Sequence, residues 1–425
     1  MSSVPTLAIR PSRNAWLLTA LLFAVFTLIC CLQKPADFQK VYVVSARHLL
    51  ANEDIFRDAF VYPPFSAVLA LPWTQMDALT GRIVYGLLNG LAAVVLLGGA
   101  WHLAGGKVPF QFRHLTRTEA VILTLGVLGG FGYVFDSLAS QQTDLIIGAV
   151  VIAGCCLLKH GRAFPAAVLI GLAAAVKCTP LLFAPYLAWR RQWLASITVV
   201  VLGVGMNFTP ELIRYSETGQ PRVVNWVERF LLTIARNDVP PGMWASAIEY
   251  NHSLAGMTNR VLAWERTQLA GSMAGRSKAD APSPVVLKRI TYGITAGLLV
   301  LAMFVTRRGN MMSMELSMVL LLMLVMSPMS SKPHFCTLLL PLWCLARWAV
   351  ERGNRLVFVG VLVAAVVGLM TNKDLVGRTV YDFGKWYGLV TIQTLLLLLT
   401  CIWVRHRSTT VAQAEVITPP IRRAA

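Results

Sequence analysis

Apolar residues in this chain gather in long runs, separated by short clusters of polar and charged ones. A membrane-spanning helix needs about 20 mostly apolar residues, somewhat fewer where it is short or the bilayer is locally thin. Twelve segments meet that description: 15–32, 79–104, 118–135, 145–160, 163–176, 179–189, 194–208, 289–306, 312–328, 335–350, 356–371 and 388–404. Two of them, 163–176 and 179–189, are short, and the pair reads as one broken helix or a re-entrant element. The pattern predicts an all-α polytopic membrane protein, one integral membrane domain over residues 1–425 with about twelve transmembrane helices.

Two connections are long, 33–78 and 209–288. Loops beyond about 15 residues are usually functional or disordered. In the first, Val41 to Leu50 is apolar with Arg47 and His48 on its polar side, which suits a helix lying on the membrane surface. The same loop closes on Tyr62-Pro63-Pro64 and a short apolar stretch, Phe65 to Trp73. That stretch, within 61–75, is read as a partial helix dipping in from outside. In the second loop, Ala270 to Pro284 is small, polar and proline-flanked, and reads as flexible. No internal repeat is evident, which lowers the case for a secondary transporter, since many of those are built from repeats.

Charge orients these segments. Lys and Arg in short loops favour the cytoplasm. Arg10 and Arg13; Lys107, Arg113 and Arg117; Lys159 and Arg162; Arg190 and Arg191; Arg307 and Arg308; Arg352 and Arg355; and Arg405 and Arg407 all fall on one side when twelve segments cross. Most acidic residues fall in the opposite loops. Both termini and the 405–425 tail are therefore expected in the cytoplasm, both long loops outside, and the protein in the inner (plasma) membrane as a multi-pass chain. No small-x-small site follows 15–32, and Ile29 before Cys30 does not fit lipoprotein cleavage, so the first run is read as a retained helix.

Composition agrees: 56% of residues are hydrophobic and 14% charged, where soluble domains are usually about a quarter charged. The net charge of +18 is dispersed in short clusters between apolar segments, which argues against nucleic acid as a partner and for membrane lipids. The eight cysteines form no CxxC pair, and five of them lie within or at the ends of apolar runs, so neither a disulfide framework nor a zinc site is expected.

Five polar features converge on the predicted outer face. They are Asp37, just after the first segment; Gln141-Gln142-Thr143-Asp144; Lys177-Cys178-Thr179-Pro180; Asn251-His252-Ser253; and Ser330-Ser331-Lys332-Pro333-His334. Singly, each has an ordinary reading: Asp37 a loop carboxylate, Lys177 an amine snorkelling to headgroups, His334 a helix cap. Together, a carboxylate, two histidines and a lysine suit binding of a phosphate and activation of a hydroxyl.

Their order resembles the GT-C membrane glycosyltransferases that use polyprenyl-phosphate sugars, and most of all glycosyltransferase family eighty-seven, which includes mycobacterial phosphatidylinositol mannoside mannosyltransferases. That family's pattern is Gly-Gln-x-Asn and an apolar helix, then Gly-x-x-x-Ala-x-x-Lys-x-x-Pro, Asn-Gln-Ser, and Ser-Pro-x-Ser-x-x-x-His. Here these positions hold Gln141 to Asp144, Gly171 to Lys177 with Pro180, Asn251-His252-Ser253, and Ser327-Pro328-Met329-Ser330 with His334. The resemblance covers about residues 15–350. Gln141 stands for the glycine, Asp144 for the asparagine, His252 for the glutamine and Ser331 for the usual tryptophan.

The resemblance implies a hexosyltransferase whose site faces away from the cytoplasm. A hexose, mannose by default because the family's best-known members use it, passes with inversion from a polyprenyl-phosphate donor to a hydroxyl of a lipid or glycan acceptor. Asp37 is then the general base. Lys177 holds the donor phosphate, helped by His334 and Arg82. Tyr62, Gln142, Asp144, Asn251 and His252 bind substrate. The chain has no Asp-x-Asp triplet, the spacing with which nucleotide-sugar enzymes commonly hold a metal-bound diphosphate, so no metal and no cofactor are expected. The competing readings are a transporter or flippase for a lipid-linked saccharide, whose ionisable residues would sit at mid-helix depth, and a structural assembly partner.

Overall fold

A computed structural model describes residues 23–29, 32, 37–58, 60–107, 115–216, 219–235, 248–266, 276–307 and 311–417. It is helical nearly throughout; among the described residues the strands are one two-residue pair, Trp264–Glu265 against Arg276–Ser277. Five helices are long and apolar enough to cross a membrane: Ala78–Leu103, Arg117–Ser140, Trp193–Ile213, Pro284–Thr306 and Leu389–Ser408. Arg355–Met370 and Lys373–Tyr387, bent by 91° at their junction, form a sixth if the pair is one span. Large apolar side chains face outward from these helices, Leu91, Leu194, Val300 and Leu356 each being more than 60% exposed. In water such surfaces would aggregate; against lipid tails they are at home. The protein is an all-α polytopic membrane protein.

The shorter predicted segments are helical too. Asp144–Lys159, Ala163–Val176, Met312–Met326 and Leu339–Glu351 each form a helix, and 179–189 is a 3₁₀ turn, Thr179–Leu182, running into Phe183–Trp189. Residues 23–29 of the first predicted segment are helical, and the rest of 15–32 except residue 32 lies outside the described residues. The stretch after Tyr62 is a short broken helix, Phe65–Leu69 then Leu71–Gln75. The second long connection ends at Pro284, where Ser283 caps a helix by accepting from Val286 N, earlier than the 288 expected. Of the stretch read as flexible, 270–275 lies outside the described residues and Arg276–Ser277 is paired as a strand. Lys373–Tyr387 is a helix that the apolar pattern leaves as a link; it is polar, and Asn372 caps it by accepting from Asp374 N. The last helix runs on to Ile417, past the predicted end at 404.

Small residues let these helices close on one another. A Cβ on Gly368 would stand 2.3 Å from the carbonyl oxygen of Gly129 and 2.8 Å from its Cα, so the helices carrying them touch backbone to backbone. A side chain from the last helix seals the contact: Gln393 Nε2 donates to Gly129 O at 2.8 Å and to Ala364 O at 2.9 Å, while Tyr133 OH donates to Gln393 Oε1. Toward the other end, the fully buried Glu315 is paired with Arg190 and Arg405 and accepts from Tyr186 OH. Glycine also explains the spacing before Lys177. A Cβ on Gly171 would lie 2.9 Å from Leu202 Cβ and 3.3 Å from the Val199 Cα, so Ala163–Val176 packs directly on Trp193–Gly205.

Candidate active site

An aromatic floor comes first. Phe38 stacks on Tyr85 with ring centroids 3.6 Å apart, and Tyr42 stacks on Tyr62 at 4.6 Å. These rings belong to a helix that begins at Phe38 and to the Tyr62-Pro63-Pro64 turn, so burying them folds the first long connection onto the top of Ala78–Leu103. Tyr42 OH is 3.0 Å from Thr143 Oγ1, which ties this segment to the Gln141–Asp144 turn.

That turn has a strained backbone. Gln141 sits at φ +50°, ψ +45°, the left-handed region that costs a side-chain-bearing residue roughly 1–2 kcal/mol. The family pattern has glycine here, and the geometry says why. Gln141 is held by its own side chain, whose Nε2 donates to Arg82 O at 3.2 Å. The turn aims the next residue, Gln142, at Asp37: Nε2 donates to Asp37 Oδ2 at 3.0 Å.

From Gln142 a chain of contacts crosses the site. Ser331 Oγ donates to Gln142 Oε1 at 3.4 Å and lies 2.9 Å from His334 Nδ1. His334 Nδ1 in turn is 3.5 Å from Asp144 Oδ1, which accepts from Lys177 Nζ at 2.6 Å. Lys177 also faces the Tyr62 ring at 5.8 Å. Lys177 is the break between two helices: its backbone is extended, φ −148° and ψ 113°, because Pro180 three residues on starts a new turn. A lysine inside the helix would lie along its face; at the break it turns into a cleft walled by Asp144, Thr179, Ser327, Ser330 and His334. Burial lowers the His334 pKa to about 4, the Lys177 charge adding to the effect and Asp144 opposing it. At neutral pH the imidazole is therefore uncharged.

Asn251 and His252 sit behind this cleft and shape it. Asn251 Oδ1 accepts from Ser253 N and Ser330 N, its Nδ2 donates to Pro328 O, and His252 N donates to Ser330 O at 2.7 Å. The Asn-His-Ser segment thus staples down the Ser327–Ser330 loop. Burial lowers the His252 pKa to about 3, helped by the cations Arg260, Lys332 and Lys385 and by His334. Arg82 meets the site through its carbonyl, on Gln141. Among the described residues, no group of three or more His, Cys, Asp or Glu is placed to hold a metal.

The sequence assigns no role of their own to Ser331, Thr143 and Tyr42. Ser331 is marked there as a departure from the family pattern, and as a serine it bridges Gln142 and His334. Tyr42 lies in a helix whose pattern says only that it is amphipathic.

The model of Glycosyltransferase family 87 matches residues 60–328, more than half of the chain. The chain belongs to glycosyltransferase family 87. The match includes Tyr62, Arg82, Gln142, Asp144, Lys177, Asn251 and His252; Asp37 and His334 lie outside it. A curated relative, the polyprenol-phosphate-mannose-dependent alpha-(1-2)-phosphatidylinositol mannoside mannosyltransferase of Mycobacterium tuberculosis (strain ATCC 25618 / H37Rv), is 30% identical over 147 residues. That stretch is 33% of this chain and 34% of the relative, so the chain matches about a third of the relative's length. No solved structure matches the chain.

Proposed function

We propose that this family 87 glycosyltransferase moves a hexose, mannose in the first instance, from a polyprenyl-phosphate-linked donor to a hydroxyl of a lipid or glycan acceptor, with inversion, on the non-cytoplasmic face. The observation that carries the reading is the series of contacts Asp37, Gln142, Ser331, His334, Asp144, Lys177, which joins a carboxylate to a buried cation. The relative's name, with its polyprenol-phosphate-mannose donor and phosphatidylinositol mannoside, supports the donor class.

In this reading Asp37 takes the proton of the acceptor hydroxyl as that oxygen bonds to the anomeric carbon. The bond from that carbon to the phosphate oxygen breaks, and its electron pair leaves with polyprenyl phosphate. Gln142 fixes Oδ2 of Asp37, and Oδ1 carries no protein hydrogen bond among the described residues, so it is the oxygen available to the acceptor. Lys177 binds the donor phosphate and stabilises charge on the departing oxygen. His334, neutral and fixed by Ser331, contributes a hydrogen bond. Tyr62 and the aromatic floor offer a face for the sugar, and Arg82, whose carbonyl holds Gln141, assists Lys177 at the phosphate. No metal takes part: a single phosphate needs less neutralisation than a diphosphate. The proposed twelve crossings put this face outside, where a lipid-linked donor enters sideways from the bilayer.

The test is transfer of radiolabelled mannose from polyprenyl-phosphate mannose to endogenous lipid in membranes carrying the protein, with Asp37→Asn as control. Label that crosses the bilayer without being transferred would replace this reading with a flippase.

A further inference from the structure

The cation read as the phosphate ligand is already occupied. Lys177 Nζ and Asp144 Oδ1 are 2.6 Å apart, with side chains only 10% and 6% exposed. The cleft around them holds about 30 Å³, room for a water or two at roughly 10–15 Å³ each. A phosphate therefore reaches Lys177 by displacing the carboxylate, not by joining it. Two further atoms of this cleft are left over: Asp144 Oδ2 and Ser330 Oγ are both buried with no hydrogen-bond partner among the described residues. Unpartnered buried acceptors are rare and ask for an explanation.

The groups facing Asp144 can be named element by element. Lys177 closes the Ala163–Val176 helix, and His334 and Cys336 come from the turn Lys332–Leu338. Tyr42 and Tyr62 come from the first long connection and Tyr85 from Ala78–Leu103, whose Arg82 carbonyl holds Gln141. Asp37 stands beyond Gln142. Phenols and thiol are uncharged at neutral pH, so at the phosphate seat Lys177 is balanced by Asp144. Adding a phosphodiester there sets two anions against one ammonium, and like charges at such range make one of them take a proton.

We propose that Asp144 holds the place of the donor phosphate on Lys177, and that the donor binds together with one proton, drawn from solvent onto the Asp144–His334 pair. This rests on the reading of Lys177 as the phosphate ligand. Protonated, Asp144 gains an O–H donor for one phosphate oxygen, and the Ser330 hydroxyl can donate to another, so the bound diester partners both left-over atoms. Asp144 thereby selects for a donor carrying a single negative charge.

The experiment is calorimetric titration of the purified full-length protein in detergent with a short-chain prenyl methyl phosphodiester. This probe has the donor's one charge, no titration near neutrality and no sugar to transfer. Two buffers of different ionisation enthalpy count the protons. The expected result is uptake approaching one proton per diester at pH 8, and affinity rising up to about tenfold per pH unit from pH 8 to 6. Asp144→Asn should bind more tightly than the parent at pH 8, with neither uptake nor slope. Diester binding without proton uptake, or no diester binding, overturns the proposal on the unmodified protein, whether or not the variant folds. Proton-coupled binding in a protein that transfers no sugar leaves the proposal standing and removes the transferase reading; sugar transfer with pH-independent diester binding does the reverse.

Discussion

Gln142 and Asp37 are 105 positions apart in sequence, yet Gln142 Nε2 donates to Asp37 Oδ2 at 3.0 Å. The bond fixes one carboxylate oxygen and leaves the other for substrate. Asp37→Asn keeps the size and cannot accept a proton at neutral pH. General-base contributions are typically about 10²–10⁴-fold, so transfer should fall to near background with protein level unchanged. Asp37→Glu should also lose roughly 10²-fold, since one methylene displaces the carboxylate. Near-normal transfer by Asp37→Asn would move attention to Asp54 or Asp58 in the same connection.

Lys177→Ala should remove donor use and also weaken the protein. It strands the Asp144 carboxylate, and removing one partner of a buried ion pair costs about 3–5 kcal/mol. The double change Lys177→Ala with Asp144→Asn should recover the thermal midpoint without recovering transfer. Recovery of both by the double variant would show that Lys177 acts only as a counter-ion.

His252 ties stability to pH. Its folded pKa is about 3, below the ordinary value of about 6.5. Its contribution is therefore complete above pH 6.5 and is lost as pH falls through that window toward 3, because the unfolded chain takes the proton first. The slope is about 1.4 kcal/mol per pH unit at most. His252→Gln, which cannot titrate, should flatten thermal midpoints between pH 7 and 5 relative to the parent. His334 contributes in the same direction down to its pKa of about 4. Parallel curves for parent and His252→Gln would refute the assignment.

Gly171→Ala should cost about 1–3 kcal/mol by overpacking, because its Cβ would press on Leu202 Cβ and on backbone. The shift carries Lys177 with it, so donor KM should rise more than acceptor KM. Gly98→Ala, with nothing within 4 Å of the added atom, is the control and should leave both unchanged.

Orientation has its own check. A reporter fused after Arg407 should report cytoplasm, and one inserted at 270–284 should report the exterior. The same answer from both would overturn the proposed map.

Much of this was legible in the sequence because lipid imposes a coarse grammar: apolar runs become helices, and Pro180 marks the break that frees Lys177. The site was less legible where its links cross from one element to another. Nothing local to Ser331 says that its hydroxyl will meet both Gln142 and His334. The resemblance makes Asn251 and His252 substrate ligands, and in the fold the Asn251 amide bonds the 328–330 backbone, a link that nothing local in the sequence announces. The helix Lys373–Tyr387 is invisible to the apolar pattern because its polar composition carries no spanning signal.

The last helix bears on how the chain is made. Every residue of the Asp37-to-Lys177 series has been synthesised by position 334, but the groups behind it are still waiting. Gly129 O and Ala364 O wait for Gln393, the His252 carbonyl for Thr391, and Glu315 for Arg405. A chain cut before Leu389 therefore carries every site residue and lacks these contacts, so the bundle behind the site closes only once Leu389–Ile417 has docked.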